Sequence, residues 1–227
     1  MVINTSNNMN LFTKAQKTEI RNLKPLTESK FLYDTNRWNN LNRNYKNLII
    51  DFENKEISRL DVINTYKDYF TENGDSYLRA FLLTMVWGFA DTGYGTFRTN
   101  KYISSEENLE KIKRVLDFIN ENKEDSIKNA FNELKKIKGL GISYLTKILY
   151  FATRAKGLEN YSLIFDIRVA RALVKLTIPK EIYEIIDVGP SSKFSDYNKF
   201  NELLHKIAGE IDVQTEQLEM YLFNQEF

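Results

Sequence analysis

The sequence predicts an all-α protein, and three observations predict it. Apolar residues recur at helical spacing through most of the chain, only nine Gly and three Pro interrupt it, and clean β alternation is absent. Helices are expected at residues 36–52, 58–70, 75–89, 106–121, 125–137, 142–155, 167–176, 194–208 and 213–224. Between the third and fourth lies GFADTGYGTFRTNKY (88–102), where three Gly alternate with aromatics and cations. This segment reads as a loop, either a boundary between lobes or part of a site. With 227 residues, 42% of them hydrophobic, the chain can bury a sizeable core. No internal repeat, low-complexity tract or linker divides it, so one domain over 1–227 is expected.

Composition removes whole classes of chemistry. The chain has no Cys, which excludes disulfides, thiolate zinc sites, iron-sulfur clusters and cysteine nucleophiles, and it fits a reducing compartment. A single His205 argues against histidine-based metal sites and triads, so no metal centre is expected. No apolar run reaches membrane-spanning length, and MVINTSNNMNLF has neither a basic flank nor a long apolar region. A cytoplasmic protein follows as the expectation. The net charge of +1 does not suit an indiscriminate polyelectrolyte binder. Its distribution is uneven: Lys128, Lys135, Lys136, Lys138, Lys147, Arg154 and Lys156 face only Glu133 within 128–156. Such an island suits phosphate contact, although a solvated helix face is its commoner meaning.

Within that island lies the stretch KIKGLGISYLTKILYFATRAK. Before it, Ile127, Ala130, Phe131, Leu134 and Ile137 follow helical spacing, with Asp125 as the expected N-cap. Gly139 and Gly141 then break the helix, because Gly adopts backbone angles that other residues resist. From Ile142 the pattern resumes, with Leu145, Ile148, Leu149 and Ala152 as its apolar stripe. Ser143, Lys147, Tyr150 and Arg154 fall on the opposite face, so Lys147 is expected to point away from the core. A bend that opens a helix offers unpaired N–H groups and the positive end of a dipole to a phosphate oxygen. On the two glycines alone, an ordinary αα-corner is the commoner reading.

Downstream, YSLIFDIRVARALVKL sets Asp166 at the start of another amphipathic helix built on Val169, Ala170, Leu173 and Val174. Capping is its ordinary role. A helix N-terminus also favours negative charge, and a fixed carboxylate is what a cationic sugar transition state requires.

Together, KGLGIS, the helix after it and FDIRVARAL resemble the helix-hairpin-helix DNA glycosylase superfamily over about residues 125–176. ISYLTKILYFA with DIRVARAL is most similar to the 8-oxoguanine glycosylases, of the archaeal type and the bacterial proteins of that fold. The resemblance implies two closely packed helical lobes with the active site between them. It implies double-stranded DNA with a modified base as partner, a monomer, and Asp166 as the essential carboxylate. It further implies backbone contacts from Lys138, Gly139, Gly141, Ser143 and Arg168, and a monovalent cation on the hairpin carbonyls as the one cofactor.

Lyase-competent members use a Lys that attacks the sugar. In the commonest register that position is Ser143, which would make the enzyme monofunctional with water in place of the amine. In the archaeal register it is Lys147. Such enzymes flip the base from the duplex, which requires a receiving pocket. Tyr94, Phe97, Arg98 and Tyr144 are the candidates for it, with Lys101 beside them; Trp87 reads as core packing, and Phe223 or Phe227 could close the pocket. The cysteine-free chain departs from the iron-sulfur subgroup. The particular base stays open, including the modified bases of phage DNA. A non-catalytic hairpin DNA-binding module and a helical interaction domain stand as rival readings.

Overall fold

The computed structural model describes residues 11–72, 77–90, 93–177 and 189–225, and among these the regular secondary structure is helical apart from one two-stranded sheet. Residues 1–10, the first two positions of the helix expected at 75, and Phe227 lie outside the described residues. In chain order come α1 (Lys14–Asn22), α2 (Pro25–Glu28), β1 (Lys30–Leu32), α3 (Arg43–Lys46) leading into a 3-10 turn (Asn47–Phe52), β2 (Glu56–Ser58), α4 (Arg59–Glu72) and α5 (Tyr77–Phe89). Then follow α6 (Gly95–Tyr102), α7 (Glu106–Glu121), α8 (Ser126–Lys135), α9 (Ile142–Ala155), α10 (Ile167–Thr177), α11 (Phe194–Glu210) and α12 (Thr215–Phe223). β1 and β2 run antiparallel with Phe31 opposite Ile57. Among the described residues no helix is long and apolar enough to cross a membrane.

Several expectations are corrected. The helix expected at 36–52 is only α3 and the 3-10 turn, because Asn42 caps the helix late by accepting from the Asn44 amide, and Ile49 is non-helical. α1 lies outside the expected helices, and Thr13 and Gln16 form a capping box at its start. The loop expected at 88–102 holds α6. Gly95 in it is a packing device: a Cβ there would lie 2.9 Å from both Trp38 and Phe89 side-chain atoms. Asp125 occupies the N-cap of α8 but makes no capping hydrogen bond, and Ser126 instead accepts from the Lys123 amide.

The largest correction concerns α9. It packs against α4, α5, α7 and α8, and every residue from Leu145 to Thr153 is buried. The face expected to be outward is therefore internal, and its polar groups are matched inside. Tyr150 donates to Glu216 at 2.8 Å, Arg154 pairs with Glu216 at 3.0 Å, and beside them Arg59 pairs with Glu219 at 2.6 Å. Arg59 also lies 5.2 Å over the rings of both Trp87 and Tyr150. Trp87 is core, as expected, and donates to the Ser29 carbonyl.

Residues Tyr161 to Phe165 are buried and belong to no helix or strand. A buried backbone needs hydrogen-bond partners, and side chains provide them here. Thr153 accepts from the Ser162 amide, Asn201 from Leu163 and Thr146 from Phe165, while Tyr197 donates to the Leu163 carbonyl. This lashing to α9 and α11 sets where Asp166 emerges. The change Thr146→Val keeps the shape and strands the Phe165 amide, so it should cost about 1–3 kcal/mol in chemical denaturation. An unchanged unfolding midpoint would show that this bond does not anchor the segment.

Candidate active site

The hairpin turns at Gly139, whose φ of +89° lies in the left-handed region. Tyr102 of α6 donates to the Gly139 carbonyl at 2.9 Å and holds the bend against that helix. Gly141 is the N-cap of α9 and has no side chain with which to cap, so the first-turn amides of Ile142 and Ser143 receive no side-chain acceptor. Lys138, Gly139 and Gly141 are all exposed at this corner.

Asp166 sits at the start of α10, and its two oxygens do different work. Oδ1 accepts from the Arg168 amide at 3.1 Å, an N-cap bond, and Oδ2 accepts from the Ser143 hydroxyl at 2.7 Å. Lys147 Nζ lies 3.7 Å from the same Oδ2 and donates to Ser143 Oγ at 2.7 Å. Lys147 is 7% exposed, and its Nζ stands 5.1 Å from the centre of the Tyr144 ring. Its stem crosses Gly88 of α5, where a Cβ would meet Lys147 Cδ at 3.0 Å. Burial pulls the Lys147 pKa below the ordinary lysine value. The charges of Asp166 and Glu219 oppose that shift, and Arg59 adds to it. An amine and a carboxylate thus meet in a nearly dry site, joined through Ser143, which also lines the groove beside the hairpin.

Other expected residues are placed as follows. A groove of about 400 Å³ runs between α6 and the hairpin, lined by Phe97, Arg98, Lys101, Ser143 and Tyr144 among others. Tyr144 stacks on Phe89 with ring centres 4.2 Å apart. Phe97 and Tyr94 are each 72% exposed, and Tyr94 does not line the groove. Neither forms an enclosed pocket. Arg168 is exposed, with its guanidinium 4.8 Å from the centre of the Phe223 ring. The basic island does not form one patch. Lys128 pairs with Asp125, Lys136 with Glu133 and Arg154 with Glu216, while Lys147 is inside.

Sequence reasoning missed Gly88, Thr146, Arg59 and Glu219, which bear on Lys147 and Asp166 from the rest of the fold; it counted Tyr102 among the aromatics that could stack on a base, and the hydroxyl of that residue fastens the bend. Only Gly88 carried a local signal, a glycine inside an apolar helix.

Residues 18–223 match the family described as "Putative 8-oxoguanine DNA glycosylase OGG-like protein". That span is most of the chain, and the protein belongs to this family. Its class is therefore that of a DNA glycosylase, an enzyme that acts on DNA. Comparisons with curated proteins and with solved structures find no match.

Gly88→Ala tests how closely the amine is positioned. A helical Ala in place of Gly should hold or raise thermal stability, by up to about 1 kcal/mol. The added methyl should displace the Lys147 stem and lower turnover on a damaged duplex by about tenfold or more. Full turnover with unchanged stability would mean that the stem is free to move aside.

Proposed function

We propose that the protein excises an oxidised or otherwise modified purine, 8-oxoguanine foremost, from double-stranded DNA and then cleaves the abasic site through a Schiff base on Lys147. The observation that carries this is the Lys147 amine, buried and 3.7 Å from the Asp166 carboxylate. In this reading the whole chain, 1–227, acts as one domain and as a cytoplasmic monomer.

Lys138 and the amides of the bend, together with those at the start of α9, grip a phosphate. Arg168 adds a backbone contact. The target base leaves the stack, with the Tyr144 face, Phe97 and Arg98 as its contacts and exposed Tyr94 close to the gap it leaves. The bond from C1′ to the base nitrogen breaks, its electron pair leaves with the base, and the base takes up a proton. Positive charge on the sugar faces the Asp166 carboxylate. Neutral Lys147 forms a bond from Nζ to C1′ and gives up one of its two protons; its lone pair then forms the C1′–Nζ double bond as the C1′–O4′ bond breaks, O4′ takes up a proton, and the protonated imine results from which strand cleavage follows. The hairpin carbonyls suit a monovalent cation: those of Ile137 and Gly139 each accept one hydrogen bond and keep a second lone pair. Such an ion would add positive charge toward the phosphate.

Borohydride trapping on a duplex with one 8-oxoguanine tests the assignment. Wild type should give a covalent adduct, and Lys147→Ala should reduce it to background. Asp166→Asn should slow base release about 10²- to 10³-fold with DNA affinity retained. Because burial depresses the Lys147 pKa, adduct formation should rise with pH and level off below the ordinary lysine value. Binding without base release on any modified purine would support the non-catalytic module. Base release without a trapped adduct would support the monofunctional register centred on Ser143.

A further inference from the structure

An ammonium cannot attack a sugar, and Lys147 spends its resting state beside a carboxylate that favours the charged form. Its proton therefore needs a route out of a site that holds little water. The direct path is poor, since Nζ and Oδ2 are 3.7 Å apart, beyond hydrogen-bond reach. The Ser143 hydroxyl closes that gap. It accepts from Lys147 Nζ at 2.7 Å and donates to Asp166 Oδ2 at 2.7 Å, so both links are short and point the same way. The arrangement is held from two sides. Ser143 and Lys147 are one turn apart on α9, and the Thr146 bond to the Phe165 amide fixes the segment that presents Asp166.

We infer that Ser143 is a proton relay that carries the Lys147 proton to Asp166 and frees the amine for attack. The inference rests on the Schiff-base reading above. As one Nζ proton moves to Ser143 Oγ, the hydroxyl proton moves to Asp166 Oδ2. Serine ends as it began, Asp166 becomes a neutral acid, and Lys147 holds a lone pair. Two opposite charges cancel in a dry site. The transfer accompanies attack, after the ionised Asp166 has faced the departing base, and the proton now on Asp166 is in place to pass to O4′ as the C1′–O4′ bond breaks. The other groups that face the amine cannot substitute. Glu219 of α12 is committed to Arg59 of α4, Tyr144 on α9 presents its ring, and α5 contributes Gly88, which has no side chain.

The experiment uses the full chain and a duplex carrying one preformed abasic site, so that base identity plays no part. Borohydride trapping rates are measured from acid to alkaline pH for wild type, Ser143→Ala, Ser143→Thr and Lys147→Ala. Loss of the relay in Ser143→Ala should slow trapping about 10- to 100-fold near neutral pH. That deficit should shrink toward parity in alkali, where solvent removes the proton, and Ser143→Thr should stay within about threefold of wild type because it keeps the hydroxyl. A Ser143→Ala profile parallel to wild type at every pH would assign Ser143 to positioning alone and overturn the relay. So would an unchanged rate. An adduct lost in Lys147→Ala but indifferent to Ser143→Ala sinks the relay and leaves the nucleophile standing. An adduct that persists in Lys147→Ala sinks both.

Discussion

The structure depends on a stretch of backbone buried outside any helix or sheet. Residues Tyr161 to Phe165 cross the core between α9 and α10, where no strand pairs with them. Each unmatched amide or carbonyl there would carry a desolvation penalty of about 1–3 kcal/mol. Thr146 and Thr153 on α9, with Tyr197 and Asn201 on α11, remove that penalty bond by bond. The price is geometric rigidity, and the site exploits it. Asp166 follows directly on the lashed segment, so its carboxylate is delivered to one place beside Ser143 and Lys147.

The same logic of desolvation governs Lys147. A central helix buried on all sides cannot keep a polar face in water, so α9 matches its polar groups with Glu216, Asp166 and Ser143 and lies beside the Arg59–Glu219 pair. Burial outweighs the partners of Lys147 and works against its charge. A buried lysine with a carboxylate and a hydroxyl within reach is a poor stabiliser and a good reagent. The proposed chemistry uses the property that makes the residue costly to fold.

The bend and the groove complete the site from a third direction. Gly139 takes a left-handed angle, Tyr102 fastens its carbonyl, and α6 contributes Phe97, Arg98 and Lys101 to the facing wall. The segment 88–102 is therefore neither a linker nor a free loop where it is described. Its Gly95 allows α6 to pack against Trp38 and Phe89, and that packing sets the distance between α6 and the hairpin.

The helical class, the hairpin and the start of α10 were legible in the sequence, because periodic apolar spacing, Gly punctuation and an Asp before an amphipathic run are local signals. So was the choice of Lys147 and Asp166 as chemically interesting residues, through the resemblance their motifs carry. The direction in which Lys147 points was not. Periodicity finds two faces of α9 but cannot say that other elements cover both, and the polar face meets Glu216 of α12 and Asp166 at the start of α10. The Ser143 bridge, the stem contact at Gly88 and the lashing by Thr146 join residues brought together by the fold, so tertiary structure alone could decide them. Local spacing set which groups the chain owns; packing around one buried helix decided which of them meet, and how dry their meeting place is.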